Sequence, residues 1–442
     1  MALTDLGTKL GLRALNGFAG LELLDRLGVR KPAERLIYRG AKDGTRTAAT
    51  AGRAFAAATK RARGKPARMP AAQSSGLFDL TPTDEQQMLR DSFKQFATER
   101  LRKAAPQADA DAKAPEDLMA QASELGITML GVPEEMGGVF DERSSITSVL
   151  VAETLAHGDL SLAVAALAPA AVSTAIGLWG DGEQQAKYLP PFVGEDVPAA
   201  ALAIIEPKAV FDPLQLDTKA SLEEDGGFTL NGVKSLVPRA EEAELFVVAA
   251  DLEGGKGPAL FIVEARTDGV YTEPDPAMGL RAAGTCRLVL DDVRLDRTAI
   301  LAGGAPEVYR ECIQRSRLAW CAVAVGTAQA VLDYVIPYTN ERVAFGEPIS
   351  NRQAVAFTVA DIGIELEGMR LATYRAASRA DQGKEFARET TLARILCSER
   401  GMKIGSDGVG LLGGHGFVKE HPVERWYRDL RAAGLMEGAL LV

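Results

Sequence analysis

The amino-acid sequence predicts a mostly helical α+β protein with an all-helical N-terminal domain, a small antiparallel β domain in the middle and a C-terminal four-helix bundle. Apolar residues recur three and four positions apart before residue 200 and after residue 303, which is typical of amphipathic helices. Between these segments the periodicity changes toward two, which indicates short strands. A basic helical extension precedes the three domains. The predicted boundaries are 1–79, 80–199, 200–303 and 304–442.

The composition is that of an ordinary globular protein. The chain has 442 residues, of which 47% are apolar and 25% charged, so it can bury a large core. Because charges or glycines interrupt the longest apolar stretches, we expect no transmembrane helix. The four cysteines show no paired spacing, and three histidines offer no zinc-like cluster, so we expect no bound metal. Reduced thiols and a cytoplasmic location fit best.

The N-terminal extension differs from the rest of the chain in charge. Residues 1–75 contain 15 Lys and Arg against 5 Asp and Glu, whereas the whole chain has a net charge of −10. Such a segment can dock on the acidic body, or it can bind anionic lipid at the inner face of a membrane as a peripheral contact. A cleaved targeting peptide is a third alternative, which Asp5, Glu22 and Asp25 weaken. Nucleic-acid binding is disfavoured because aromatic residues are not interleaved with the basic ones.

The N-terminal domain is predicted to begin with a capped helix. Thr81 or Thr83 can cap it, with Glu85 or Gln86 as the capping-box partner. Helical periodicity continues through "PEDLMAQASELGITML" and "SSITSVLVAETLAHG" to about residue 190. The sequence therefore predicts an all-helical block.

The middle domain is predicted to contain five strand-like segments. Asn231 and Gly232 form an Asn-Gly pair, which favours a two-residue hairpin turn inside the first of them. The segments are "FTLNGVKSLV", "ELFVVAAD", "ALFIVEA", "GVYTEP" and "CRLVLDDVRL".

Long helices return in the last third of the chain. They are predicted from Val308 to about Asn340, from Arg352 to about Gln382 and from about Phe386 to Ser406. The last runs into "SDGVGLLGGHGF", whose glycines have the spacing of a dinucleotide-binding fingerprint. That fingerprint requires a strand before the glycines and a helix after them, so the preceding helix argues against a nicotinamide site.

The order of helices, small β domain and long-helix bundle, together with several sequence motifs, resembles the acyl-CoA dehydrogenase family. The resemblance covers residues 80–442, and the order and spacing of the motifs make it specific. The motifs are "GVPEEMGG" at 131–138, "GDGEQQAKYLPPFVGED" at 180–196, "NGVKSLV" at 231–237, "ERVAFGEPISNRQAVAFTVADI" at 341–362, "LGGHGFVKEHPVERWYRDLR" at 412–431 and "MEG" at 436–438.

The resemblance implies an FAD site shared between two subunits. It implies that Arg342 pairs with the pyrophosphate, since a guanidinium fork matches phosphate oxygens. It also places Phe345, Gln353, Gly413 and Gly414 on the adenosine side of an FAD whose flavin lies largely on the neighbouring subunit. A salt bridge from Arg342 to a bundle carboxylate, and a helix C-cap at the glycines, are the structural alternatives.

The resemblance also implies the chemistry, which is α,β-dehydrogenation of an acyl-CoA to the 2-enoyl-CoA. Glu437 matches the base that removes the α-proton, and flavin N5 would accept the hydride from the β-carbon. A solvated carboxylate near the chain end is the alternative for Glu437. Some relatives carry the base before the arginine of the first bundle helix, but Ser316 stands there before Arg317, and a serine cannot serve.

Several positions beside the expected flavin depart from the family pattern. Ile205 and Phe211 replace small or hydroxyl residues, and Leu236 and Pro238 replace a tryptophan and a threonine. Pro238 has no N–H to donate, so one expected hydrogen bond cannot form. Ala439 stands where relatives carry a threonine. Ile205 remains the position expected to line the flavin.

These departures keep alternative functions open. The first hypothesis is an active enzyme of fatty acid β-oxidation, a homodimer or homotetramer that passes electrons to an electron-transfer flavoprotein. The second is a flavin-poor or inactive subunit that completes a partner's FAD site. The third is an acyl-CoA oxidase-like variant, because oxygen access depends on cavity shape.

Overall fold

The structure is a computed structural model that describes residues 81–138, 143–194, 196–254 and 257–442. The predictions for the basic extension lie outside the described residues. In sequence order the described chain forms a group of helices, a sheet and a second group of helices. The predicted fold class is therefore confirmed.

The first group of helices is built around two buried helices. Thr83 caps the first helix, and its side chain and that of Gln86 form the reciprocal capping box, so the second predicted threonine and the second predicted partner are the ones used. A single π-helical turn, Ala97–Leu101, follows that helix. The helices are α1 Asp84–Phe96, α2 Arg102–Asp111, α3 Glu116–Glu124, α4 Ser145–Gly158, α5 Leu160–Trp179 and α6 Gly182–Tyr188.

Helix α5 is apolar on nearly every side. It contains no charged residue from Leu160 to Trp179, and its 18-residue apolar window is wholly buried inside the protein. By length and composition alone, this helix and Pro306–Glu341 could each cross a membrane, although the second window is also 72% buried. A helix that is hydrophobic all round belongs either to a protein core or to a membrane, and these two pack in the core.

The middle of the chain forms a seven-stranded sheet in which β4 pairs with three neighbours. Strand β1 and strand β2 pair with β4 in parallel, whereas the other pairings are antiparallel. The sheet is therefore mixed, whereas the sequence predicted an entirely antiparallel one. The strands are β1 Ala200–Ala203, β2 Lys219–Leu222, β3 Phe228–Val237, β4 Leu245–Leu252, β5 Gly257–Glu264, β6 Val270–Pro274 and β7 Cys286–Leu295.

The predicted hairpin turn at Asn231 and Gly232 is wrong. Both residues lie inside β3, at a register shift in its pairing with β7. The Asn231 side chain donates to Asp292 and accepts from the Asp292 backbone N–H, both at 2.9 Å. Gly232 is required because an added Cβ would lie 2.5 Å from the Thr218 hydroxyl. The Asn-Gly pair therefore marks a bulge and a close approach of β2.

Three long helices dominate the last part of the chain. The first, α7, packs against both its bundle partners and α4, and it buries Trp320 at its centre. A two-stranded hairpin, β8 Val343–Ala344 and β9 Glu347–Pro348, joins the first two helices. The helices are α7 Pro306–Glu341, α8 Gln353–Asp381, α9 Ala387–Leu412, α10 Val423–Leu430 and α11 Ala432–Leu435.

Candidate functional site

The segment after α11 is fixed by backbone contacts on both sides. Gly438 has a φ of +77°, and an added Cβ would lie 2.8 Å from the Ile204 side chain. Its carbonyl accepts hydrogen bonds from the Ser316 hydroxyl at 3.0 Å and the Trp320 indole N–H at 2.8 Å. The Ala439 N–H donates to the carbonyl of Leu202 at 2.9 Å. The preceding residue, Glu437, is thus held between β1 and α7.

The carboxylate of Glu437 is buried and paired with two arginines. Its residue is 5% exposed, so the alternative of a solvated carboxylate is wrong. Arg317 of α7 donates from Nη2 to Oε1 at 2.7 Å and from Nε to Oε1 and Oε2 at 2.9 and 3.0 Å. Arg394 of α9 lies on the other side, with Nη2 3.2 Å from Oε1. These charge-assisted contacts fix the orientation of the carboxylate.

Arg394 forms fewer hydrogen bonds than a buried guanidinium usually does. Its side chain is 14% exposed, and its Nη1 is buried without a hydrogen-bond partner in the described part of the chain. Burial lowers the pKa of the Arg394 guanidinium, and the neighbouring Arg317 adds to this, while Glu437 opposes it. Two guanidinium groups therefore share one carboxylate.

A cleft of about 550 Å³ lies between the sheet and the bundle, and its lining includes Gly434, whose carbonyl accepts a hydrogen bond from Arg394. Ser398, one turn beyond Arg394 on α9, lines it together with Gly434 and Leu435. Leu236 faces it from the end of β3, with a φ of +51° and its N–H donating to Asp275. The remaining lining residues are Ala277, Met278, Gly279, Leu280, Met402, Arg428, Arg431 and Ala432.

Ile205 follows β1 and is buried in the core, with its carbonyl accepting from the Ser235 N–H at 2.9 Å. The next residue, Glu206, pairs with the fully buried Lys234 at 2.9 Å. Burial would raise the pKa of Glu206, but Lys234 and the N–H groups of Asp217 and Thr218 outweigh it and lower the pKa to about 2. This ion pair joins the β1 end to β3 beneath Ile205.

A second group of predicted site residues lies at one end of the bundle. Arg342 ends α7 and is exposed, and no carboxylate in the described residues forms an ion pair with it. Phe345, in the hairpin, is 95% exposed with a φ of +56°, and Arg352 stacks over its ring. Gln353 is exposed at the start of α8. The exposed guanidinium of Arg352 over the exposed ring of Phe345 suits a ligand that carries phosphate and a flat base.

The glycine loop closes the same end of the bundle. Helix α9 runs up to Leu412, so a helix and not a strand precedes the loop, as expected. Gly413 caps α9 with a φ of +56°, and a Cβ added at Gly413 or Gly414 would meet nothing within 4 Å. The Tyr338 hydroxyl lies 2.8 Å from His415 Nδ1, which brings the loop beside the last turns of α7. The exposed backbone of the loop is thus open to a ligand.

The two groups are far apart within one chain. Arg317 lies on α7 and Arg342 directly follows it. The two are 25 positions apart in sequence, which corresponds to about 37 Å at a rise of 1.5 Å per residue. Arg342, Phe345, and the glycine loop therefore do not join Glu437 and Ile205 in one pocket of a single chain. Both surfaces suit the flavin cofactor that the resemblance implies, since one offers a cleft beside a carboxylate and the other offers cationic and backbone donors.

Arg394 and the cleft were not predicted from the sequence. A signal for Arg394 was present, because it lies four residues after Thr390 and three before Cys397, both fully or almost fully buried. A charged residue on the buried face of a helix requires a partner or a function. The cleft has no such signal, since residues from four separate segments form it.

Comparisons with known proteins give the same assignment over most of the chain. Family models described as the N-terminal, middle and C-terminal domains of acyl-CoA dehydrogenase match residues 83–196, 201–293 and 306–440. The mitochondrial short/branched chain specific acyl-CoA dehydrogenase of Bos taurus is 32% identical over 366 residues, which cover 81% of this chain and 83% of the bovine protein.

Solved structures are similar over the same part of the chain. Butyryl-CoA dehydrogenase from Megasphaera elsdenii superposes with a TM-score of 0.74 at 28% identity, covering 80% of this chain and 94% of that one. A chain from a structure described as the electron transferring flavoprotein of Acidaminococcus fermentans has a TM-score of 0.74 at 28% identity and covers 81% of this chain and 95% of its own length.

Proposed function

Because the chain belongs to the acyl-CoA dehydrogenase family, an oxidoreductase family that dehydrogenates acyl-CoA with FAD, we propose that Glu437 is the base of this reaction. The observation that carries the proposal is the buried carboxylate, held by two arginines on a backbone anchored by Ser316 and Trp320. Ser316 uses its hydroxyl to hold Gly438, so it has a structural partner and no role as a base.

Removal of the α-proton requires an ionised carboxylate in a dry, fixed position. Arg317 and Arg394 hold the carboxylate in place, and the low exposure of Glu437 keeps bulk water away from it. Arg317 forms a stronger contact with Glu437 than Arg394 does, because Arg317 donates from two nitrogens. We propose that the carboxylate leaves Arg394 when the acyl group enters, and that Arg317 keeps it oriented until it accepts the proton.

FAD, when bound, supplies the acceptor for the hydride that leaves the β-carbon. We propose that the cleft lined by Leu236 and Leu435 holds the flavin. Ile205 is buried in the core and is not among the described residues that line this cleft, so we propose that it supports the flavin site from the β1 end. The positions that depart from the family pattern change which atoms would hold the flavin ring. Phe211 packs against the core, and Pro238 is buried and offers no N–H, so backbone donors other than that of residue 238 must serve.

We propose that the adenosine and pyrophosphate of each FAD are held by a second copy of this chain. The residues would be Arg342, Phe345, Gln353, Gly413 and Gly414. Arg342, at the end of α7, lies about 37 Å along that helix from Arg317 of the Glu437 cluster. The smallest assembly that completes the site is a homodimer, and a homotetramer completes it as well. Sedimentation at micromolar concentration tests this, since a monomer that retains FAD would contradict it.

We propose an electron-transfer flavoprotein as the electron acceptor. The similarity to a chain in the Acidaminococcus fermentans electron transferring flavoprotein structure supports this choice. Anaerobic reduction by acyl-CoA, followed by addition of either an electron-transfer flavoprotein or oxygen, tests it. Reoxidation that is fast with oxygen and slow with the flavoprotein would favour the oxidase-like alternative.

The experiment that tests the proposed function is an absorbance titration. Protein loaded with FAD is mixed anaerobically with acyl-CoAs of several chain lengths, and bleaching of the flavin band is followed. Bleaching with at least one acyl-CoA is expected. A flavin that binds but is bleached by none of them would instead support the inactive-subunit alternative.

A further inference from the structure

We propose that Arg394 is a specificity-determining residue that binds a carboxylate on the acyl group, so that the substrate is a short acyl-CoA with a carboxylated chain. This inference rests on the proposed function, because it places the acyl group beside Glu437. An uncharged acyl chain could not form this contact with Arg394.

The first argument is charge. Arg317 and Arg394 carry two positive charges against the single negative charge of Glu437, and their side chains are 23%, 14% and 6% exposed. No second carboxylate in the described residues lies within 4.0 Å of Arg394. A buried charge is costly unless it is paired, so the cluster has one positive charge in excess. An anionic ligand would neutralise it.

The second argument is the free donor. Arg394 Nη1 is buried and has no hydrogen-bond partner among the described atoms, while Nη2 reaches Glu437 at 3.2 Å and the Gly434 carbonyl at 3.4 Å. A guanidinium binds a carboxylate best through two parallel N–H groups. Both nitrogens become available when Glu437 moves toward the α-carbon, and a substrate carboxylate would then take its place.

The third argument is position. Gly434, whose carbonyl Arg394 reaches, and Ser398, one turn further along α9, both line the interdomain cleft. Arg394 thus contacts Gly434, a residue that lines the cleft. Since one Arg394 nitrogen is 3.2 Å from the carboxylate that removes the α-proton, a group bound to Arg394 lies only a few bonds from the α-carbon. This favours a short chain over a long one.

The test compares two acyl-CoAs of equal carbon number, glutaryl-CoA and pentanoyl-CoA, on the FAD-loaded protein. Affinity is measured by calorimetry, and flavin reduction is measured separately by anaerobic stopped flow. Wild-type protein should bind and oxidise the carboxylated ester better by about 10- to 100-fold, as expected for a charged hydrogen-bonded pair. Arg394→Gln should abolish this preference, and Arg394→Lys should restore part of it.

Arg388→Gln is the matched control, because Arg388 lies on the same helix with a side chain that is 76% exposed. It should leave the preference unchanged. Equal affinity of wild-type protein for both esters, or an unchanged preference in Arg394→Gln, would overturn the inference even where flavin reduction proceeds. If neither ester bleaches the flavin, the affinity ratio still decides whether Arg394 binds the carboxylate, and the titration with other chain lengths decides the proposed function separately.

Discussion

Arg317 donates hydrogen bonds of 2.7, 2.9 and 3.0 Å to the two carboxylate oxygens of Glu437. The pair joins two parts of the chain that are 120 residues apart, the middle of α7 and the segment after α11. Glu437 therefore does not depend on α11 alone for its position. Its side chain is oriented by a rigid helix that also fixes the backbone of Gly438 through Ser316 and Trp320.

Replacing Arg317 with Gln should weaken both stability and turnover. The loss of a charged, two-nitrogen contact is expected to cost about 1.5 to 3 kcal/mol of unfolding free energy, which urea denaturation measures. The rate of flavin reduction should fall more than the affinity for acyl-CoA, because a misplaced base affects the chemical step. Arg317→Lys should recover part of the rate. A variant that loses affinity and rate equally would contradict a positioning role.

Arg310→Gln serves as the control for this prediction. Arg310 is exposed on the same helix, two turns before Arg317. Exposed substitutions of this kind typically change the unfolding free energy by less than about 0.5 kcal/mol. A loss as large as that of Arg317→Gln would mean that helix α7 responds to any charge change.

Replacing Arg342 with Ala should weaken FAD retention without unfolding the chain. Arg342 is exposed and has no ion-pair partner among the described residues, so its removal costs the fold little. Loss of a charge-assisted pair to a phosphate is expected to cost about 1.5 to 3 kcal/mol of binding free energy. Ultrafiltration followed by flavin absorbance measures the retained cofactor. Arg388→Ala, the exposed control on α9, should retain FAD, and equal retention by both variants would rule out the phosphate contact.

Replacing Lys234 with Met should destabilise the protein strongly. The ammonium is fully buried and lies 2.9 Å from Glu206, so its removal leaves the buried carboxylate with only the more distant Lys208, whose Nζ is 3.7 Å away. Breaking such a pair costs about 3 to 5 kcal/mol of unfolding free energy. Lys219→Met is the control, because Lys219 pairs with Asp251 at 2.7 Å but is 48% exposed, and its pair is worth about 1 kcal/mol or less. Similar losses of unfolding free energy in both variants would contradict the conclusion that the buried Lys234–Glu206 pair stabilises the sheet more than the exposed Lys219–Asp251 pair.

The same ion pair gives a pH dependence. The pKa of Glu206 in the folded chain is about 2, against 4.5 for an ordinary glutamate. A lowered carboxylate pKa contributes stability above pH 4.5, and this contribution is lost as the pH falls toward 2. Glu206→Gln should therefore reduce the acid sensitivity of the melting temperature over this interval. An unchanged slope would show that other carboxylates dominate.

The basic extension should bind anionic vesicles in a salt-dependent way. Residues 1–75 carry ten more basic than acidic residues, and the rest of the chain carries an excess of 20 acidic ones. Attraction to lipid should weaken as salt shortens the screening length to about 8 Å near physiological ionic strength. Co-sedimentation of the full chain and a chain lacking residues 1–75 measures it. Absence of binding, with a lower melting temperature of the truncated chain, would favour docking on the acidic body.

The helices could be predicted because their signals are local. Thr83 and Gln86 stand at capping-box spacing, and the apolar periodicity of α7, α8 and α9 extends over many turns. Strand β1 was missed because "AALA" has no strand propensity and forms only through its parallel pairing with β4. The turn at Asn231 was wrong because a tertiary partner, Asp292, uses the asparagine side chain.

The site could be predicted only where a family motif carried it. Glu437 was identified by its motif, but its partner Arg394 comes from α9 and is brought to it only by the packing of α9 against α7 and α11. The resemblance also named the residues at the end of the bundle, and their role in cofactor binding stays a prediction. Their separation from Glu437 follows from the length of α7, which the sequence predicted to within a few residues.

The central claim, that Glu437 removes the α-proton, is tested most directly by Glu437→Gln. The amide has nearly the same volume, so flavin content and acyl-CoA affinity should remain close to those of wild-type protein. Single-turnover flavin reduction should fall by about 10²- to 10⁴-fold, because the amide cannot accept the proton. A fall of less than about tenfold, in protein with its full content of FAD, would show that another group is the base.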